Sequence, residues 1–217
     1  MEVETTHRSI IFSGGTFNGN ELPIEFRRDD LIICADSGCD NLLKLGIKPH
    51  VLVGDLDSIS PESLEFITDQ GIKIIEHPVE KDKTDTHLAL ELAITAGVKE
   101  IIILGALGGR IDHMWANIGL LWLAHKKKVN AKIIDEENEI FIISEHTIIT
   151  GEEGEIFSLF PIGKVARGVN IKGAKYPLTQ WTLRYGETIC ASNEFLSSLV
   201  EIDIKEGAVI FIKNRNK

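Results

Sequence analysis

No apolar run in the sequence approaches the roughly 18 uninterrupted residues that a membrane-spanning helix needs, and residues 1–8 lack the apolar stretch of a secretory signal. The expectation is a cytoplasmic protein that does not engage a membrane. Cysteine is scarce: Cys34, Cys39 and Cys190 are odd in number and lack paired metal-ligand spacing, which argues against a disulfide framework or a zinc site. Basic charge is also short, with 23 Lys and Arg against 33 Asp and Glu and a net charge of −10. Such a balance opposes binding to the long phosphate backbone of a nucleic acid. It remains compatible with a small phosphorylated ligand that arrives with a divalent cation. The one basic run, Lys126, Lys127 and Lys128, reads as a solvated helix end. A hydrophobic content of 43% with 6% aromatics is that of an ordinary globular core.

The 217 residues are enough for two compact units. In the first part, short β-branched runs alternate with amphipathic segments, the pattern of βα units around a mostly parallel sheet. Strands are predicted over residues 9–12, 31–35, 51–54, 73–76, 100–104 and 131–135. Ser60 with Pro61 opens a helix that Gly71 closes, Thr84 or Asp85 opens another that Gly97 closes, and a third is predicted over residues 113–126. After Asn138 the pattern becomes short and strand-like, over residues 139–144, 146–150, 155–160, 168–172, 187–191, 200–204 and 208–213. The predicted fold class is therefore α/β: a mostly parallel, Rossmann-like α/β/α sandwich over residues 1–138, then a small all-β sandwich over residues 139–217.

In an open α/β sheet, ligands bind beyond the carboxyl ends of the strands. Here those ends are acidic: Asp36 and Ser37 follow the second strand, Asp55 and Asp57 the third, and Lys81, Asp82, Lys83, Thr84 and Asp85 the fourth. Gly108, Gly109, Arg110, Asp112 and His113 follow the fifth. Two carboxylates about 4 Å apart repel by roughly 4 kcal/mol at an effective dielectric of 20, so gathering them calls for a cation. Hard carboxylate oxygens suit magnesium, which shares its shell with substrate phosphates. Lys81, Lys83 and Arg110 would supply positive charge to phosphate oxygens, and the amides of Gly108 and Gly109 could cradle one phosphate. Each motif alone also has a bland reading. Asp-x-Asp can be a turn device, Gly-Gly a tight loop, Thr84 and Asp85 a helix cap, His113 a structural first-turn residue and Arg110 a surface residue. What favours a site is the coincidence of four acidic signals at four successive strand ends.

The ordered blocks ADSGCDNLLKLGIKPHVLVGDLDS, KDKTDTHLAL and GALGGRIDHMWANI resemble the thiamine pyrophosphokinase family, and GAKYPLT and ASNEF resemble its thiamine-binding β domain. The resemblance implies a magnesium-dependent transfer of the pyrophosphoryl group of ATP to thiamine, giving thiamine diphosphate and AMP. It implies a catalytic role for Asp55, Asp57, Asp82 and Asp85, with Asp55, Asp57 and Asp85 toward the metal. Asp36, Ser37, Lys81, Lys83, Thr84, Gly108, Gly109 and Arg110 would face ATP, and Asp112, His113, Tyr176, Ser192 and Asn193 would face thiamine. Tyr176 occupies a place often held by Trp in the family; its ring could stack on thiamine or pack within its own sandwich. The resemblance also implies a homodimer with thiamine held between one chain's α/β domain and the other's β domain. Competing readings are pyrophosphoryl transfer to another heterocyclic alcohol such as a hydroxymethyl pterin, a two-metal phosphoesterase using Asp55, Asp57 and the pair Asp112 and His113, and a non-catalytic nucleotide or thiamine sensor.

Overall fold

The apolar runs of the first half form β1 (Arg8–Phe12), β2 (Leu31–Ala35), β3 (Val51–Gly54), β4 (Lys73–Glu76), β5 (Glu100–Leu104) and β6 (Asn130–Ile134). The computed structural model describes residues 7–16 and 22–215, and the chain divides into two compact units, Met1–Asp135 and Glu136–Lys217. In the first unit every paired strand is parallel, in the order β4-β3-β2-β1-β5-β6. The chain steps outward from β1 to β4 and then crosses to the other side of β1 to lay down β5. That reversal opens a crevice at the carboxyl ends of β1 and β5.

The near-continuous Ile, Leu and Val runs follow from burial on both faces. Ile10, Phe12, Ile32, Cys34 and Leu52 share one core with Cys39 and Leu42 of α1 (Gly38–Lys44) and Ile67 of α2 (Pro61–Asp69). The alternate positions Ile11, Ile33, Val53, Ile101 and Ile103 are equally buried. They point to the opposite face, where α3 (Asp85–Thr95) packs on β1, β2 and β3 and α4 (Ile111–Lys126) packs on β6 and α3. The helix starts follow from side-chain capping. Ser60 Oγ accepts the amide of Ser63 at 3.2 Å, and Thr84 Oγ1 accepts that of His87 at 3.2 Å. The sequence pattern did not predict α1, which at seven residues is too short for its periodicity to register. Its entry depends instead on Gly38, where a Cβ would lie 2.1 Å from the Phe12 carbonyl oxygen.

The second unit carries β7 (Asn138–Ile143), β8 (Thr147–Thr150), β9 (Ile156–Lys172), β10 (Leu178–Arg184), β11 (Asn193–Glu194), β12 (Leu199–Asp203) and β13 (Glu206–Asn214), with no helix among its described residues. The pairings within it are antiparallel, in the order β7-β13-β9-β12-β8, and β10 and β11 also pair with β9. Two predicted strands, 155–160 and 168–172, are one: Gly163 and Gly168 take left-handed φ of +81° and +64° without ending β9. Residues 187–191 were predicted as a strand and are not one. The Glu187 side chain accepts the Arg184 amide at 3.0 Å across a turn at Gly186, and the strand of that region is β10, which the sequence pattern missed. Phe157 stacks on Phe211 at 5.4 Å and meets Phe195 edge-on at 5.1 Å in this unit's core.

Candidate active site

Backbone contact at the crevice is close because its loops are glycine-rich. The Ser13 amide donates to the Leu104 carbonyl at 2.9 Å and the Gly15 amide to the Gly105 carbonyl at 2.7 Å. A Cβ at Gly15 would sit 2.4 Å from the Gly105 oxygen, so no larger residue fits. Ser13 and Thr86 bond hydroxyl to hydroxyl at 2.7 Å, and Asn117 donates its side-chain amide to the Ala106 carbonyl at 3.0 Å. These ties hold open a cavity of about 430 Å³ lined by the loops after β1, β2, β3 and β5 and the first turns of α3 and α4.

The carboxylates gather at its edge. Oxygens of Asp36, Asp55 and Asp57 lie within 4.8 Å of one another. Asp36 is 6% exposed, in the left-handed region at φ +45°, and its buried Oδ1 accepts no hydrogen bond. Burial raises its carboxyl above the usual range, and the charges of Asp85, Asp55 and Asp57 raise it further against the pull of the Ser37 amide. Asp55 is held below that range, chiefly by the hydrogen bond from Lys81. Lys81 bridges Asp55 and Asp85, lying 3.2 Å from Asp85 Oδ1, and although its burial opposes the charge, those two hydrogen-bonded partners raise its pKa. Asp57 is more open, accepting the Ser58 hydroxyl at 2.7 Å.

The family resemblance implied Asp55, Asp57 and Asp85 toward the metal. The structure groups Asp36 with Asp55 and Asp57, while Asp85 stands against Lys81, its buried Oδ1 3.2 Å from the ammonium. Asp82 is exposed and outside this group. Lys83 is paired with Glu91 at 2.6 Å, and Thr84 serves as the α3 cap. Ser37, Gly108, Gly109, Arg110 and His113 line the cavity. Gly108 and Gly109 have φ of +76° and +66°, a conformation that turns successive amides toward one side. The Arg110 guanidinium beside Asp112, at 2.6 Å, lowers that carboxyl to about 2.

The three remaining predicted site residues belong to the second unit. Tyr176 presents its ring to solvent at 58% exposure. Asn193 is buried beneath it: its carbonyl accepts the Tyr176 amide at 3.0 Å and its NH₂ donates to the Tyr176 carbonyl at 2.9 Å. The carboxamide is thereby committed to holding Tyr176 in place. Ser192 takes a left-handed φ of +54° and donates its amide to the Ser158 hydroxyl at 3.0 Å.

Sequence reasoning missed Ser13–Thr16, Ser58, Thr86 and Asn117, all of which line the cavity. The first of these was legible, since Gly14-Gly15 also follows a strand end. Thr86 and Asn117 carry no local signal, because they reach the cavity only through the packing of their helices.

A hard divalent cation fits the acidic group. The donors are all carboxylate oxygens, close enough to share one ion, and Asp36 Oδ1 has no other partner.

Residues 24–133 match the family described as "Thiamin pyrophosphokinase, catalytic domain", and residues 145–209 match "Thiamin pyrophosphokinase, vitamin B1 binding domain". The chain is 33% identical over 186 residues to thiamine pyrophosphokinase of Bacillus subtilis, covering 85% of this chain and 87% of that one. Thiamine pyrophosphokinase 1 of rice is 27% identical, covering 89% and 83%. The crystal structure of the Bacillus subtilis enzyme superimposes with a TM-score of 0.88 at 29% identity, over 97% of this chain and 100% of that one. A helix long and apolar enough to cross a membrane is absent from the described residues. The chain belongs to the thiamine pyrophosphokinase family, enzymes that move a pyrophosphoryl group from ATP to thiamine.

Proposed function

We propose that the carboxylate cluster and glycine-walled cavity of the first unit bind ATP with magnesium, and that the hydroxyethyl oxygen of thiamine attacks the β-phosphorus with AMP leaving. The observation that carries this is the grouping of Asp36, Asp55 and Asp57 within 4.8 Å beside a 430 Å³ cavity walled by glycine loops. Asp36, Asp55 and Asp57 would hold the magnesium, which neutralises polyphosphate charge when bound. Phosphoryl-type transfers depend mainly on positioning and charge stabilisation, and the chain has residues for both. Ser37, Thr84 and the amides of Gly108 and Gly109 orient the phosphates, with Lys81 and Arg110 opposing their charge and Lys83 available on leaving Glu91. Asp85 and Asp82 border the transfer path. Asp112 and His113 meet the acceptor, together with Tyr176 and Ser192, while Asn193 fixes the Tyr176 backbone. Thiamine carries a cationic thiazolium ring, which an acidic cleft attracts.

We further read the molecule as a cytoplasmic homodimer whose thiamine site is completed by a second copy. Support comes from α4, which exposes Ile111 and Trp115 one turn apart, with Trp115 62% exposed. The finer fold reading, a Rossmann-like α/β/α sandwich followed by a β sandwich, is supported by helices packed on both faces of the parallel sheet and by the helix-free second unit.

Incubation with ATP, magnesium and a panel of acceptors, followed by identification of the nucleotide product, tests the reaction. AMP formed only with thiamine supports it. ADP, or phosphate released without acceptor, contradicts it.

A further inference from the structure

Lys81 occupies a position that the reading of the acidic group as a cation site does not account for. Its ammonium is bonded to Asp55 Oδ2 and lies 3.2 Å from Asp85 Oδ1, with the side chain 14% exposed. Among the described residues, no other Lys or Arg is in ion-pair contact with either carboxylate. Asp55 therefore belongs to two arrangements that draw on the same negative charge: the bridge through Lys81 to Asp85, and the three-carboxylate group with Asp36 and Asp57. A divalent ion at that group and an ammonium on Asp55 would repel each other at a separation of a few ångströms. The long, flexible lysine stem lets the ammonium move where a backbone group could not.

We propose that Lys81 is a displaceable counter-ion: it holds Asp55 and Asp85 together before substrate arrives and, as the cation binds, moves onto the incoming polyphosphate. Lys81 thus couples cation binding to nucleotide binding, each favouring the other. The inference rests on the proposed cation site, and its test reads binding rather than turnover.

Mn²⁺ alone is titrated into the full chain by calorimetry for wild type, Lys81→Met and Lys83→Met. The last removes the same charge nearby from a side chain that pairs with Glu91 instead of the aspartates. Loss of the competing ammonium makes Lys81→Met bind Mn²⁺ at least about tenfold tighter than wild type, with Lys83→Met gaining much less. A non-hydrolysable ATP analogue then enhances Mn²⁺ affinity less in Lys81→Met than in wild type. Should Lys81→Met fail to unfold cooperatively, Lys81→Gln serves for the same comparison. Mn²⁺ binding that is no tighter without Lys81, or an equal gain in Lys83→Met, overturns the counter-ion role while leaving the cation site standing. No Mn²⁺ binding in any form overturns the cation site itself.

Discussion

Asp36 and Asp57 carry the same carboxylate into opposite surroundings. Asp36 is buried with an unpaired oxygen, whereas Asp57 is exposed and accepts one hydroxyl from its neighbour Ser58. Substitution at Asp57 therefore leaves packing intact and tests chemistry. Asp57→Asn is expected to lower turnover by about a hundredfold or more with an unchanged unfolding midpoint; full activity in a folded variant would remove Asp57 from the site. The buried pair of Arg8 and Asp30 is the converse case, structural and remote from chemistry. Arg8 donates to both Asp30 oxygens at 2.7 and 2.6 Å, and the Arg27 amide donates at 2.7 Å. Burial opposes the Asp30 charge, yet these bonds hold its pKa below the ordinary value. A carboxyl depressed in the folded state contributes stability above its unfolded value of about 4 and loses it as pH falls toward the folded one. Asp30→Asn is expected to cost about 3 kcal/mol at neutral pH and to weaken the acid limb of stability, both read from urea unfolding across pH. An unchanged acid limb would show that the pair does not set it.

At the level of elements, the sequence was most legible where one physical cause acts alone. Strands β2, β3 and β5 fall on the predicted residues because burial on both faces writes unbroken apolar runs between turn residues, and the edge strand β4 is marked by its half-buried Ile74 and Ile75. Helices α2 and α3 start where Ser60, and Thr84 or Asp85, were expected to open them, with Ser60 and Thr84 as the caps. Legibility failed where long-range packing decides. Helix α1 depends on Gly38 clearing the Phe12 carbonyl, and β9 runs through glycines that normally signal a break. In the site, the strand-end acids could be found by position, but the pairing of Lys81 with Asp55 and Asp85, and the regrouping around Asp36, require distances that no spacing encodes. Two glycines test this contrast by thermal unfolding. Gly38→Ala forces a 2.1 Å contact and is expected to lower the midpoint strongly. Gly119→Ala, in α4 with nothing within 4 Å, is expected to be neutral or to gain up to about 1 kcal/mol. An equal gain at both would mean that helix propensity, not the close approach, governs Gly38.

For the whole molecule, the proposed homodimer would complete the acceptor half of the reaction with a second copy, which would make assembly part of the proposed mechanism. Trp115→Glu places a charge on the exposed α4 stripe and is expected to shift sedimentation from dimer toward monomer, with KM for thiamine rising alongside. A variant that stays dimeric would move the interface away from this stripe. The proposed reaction turns on one atom, the β-phosphorus of ATP, as the point of attack. With ATP labelled at that position, magnesium and thiamine, the label should appear in the inner phosphate of thiamine diphosphate, one-for-one with unlabelled AMP. Label retained in ADP, or released as phosphate, would contradict the account.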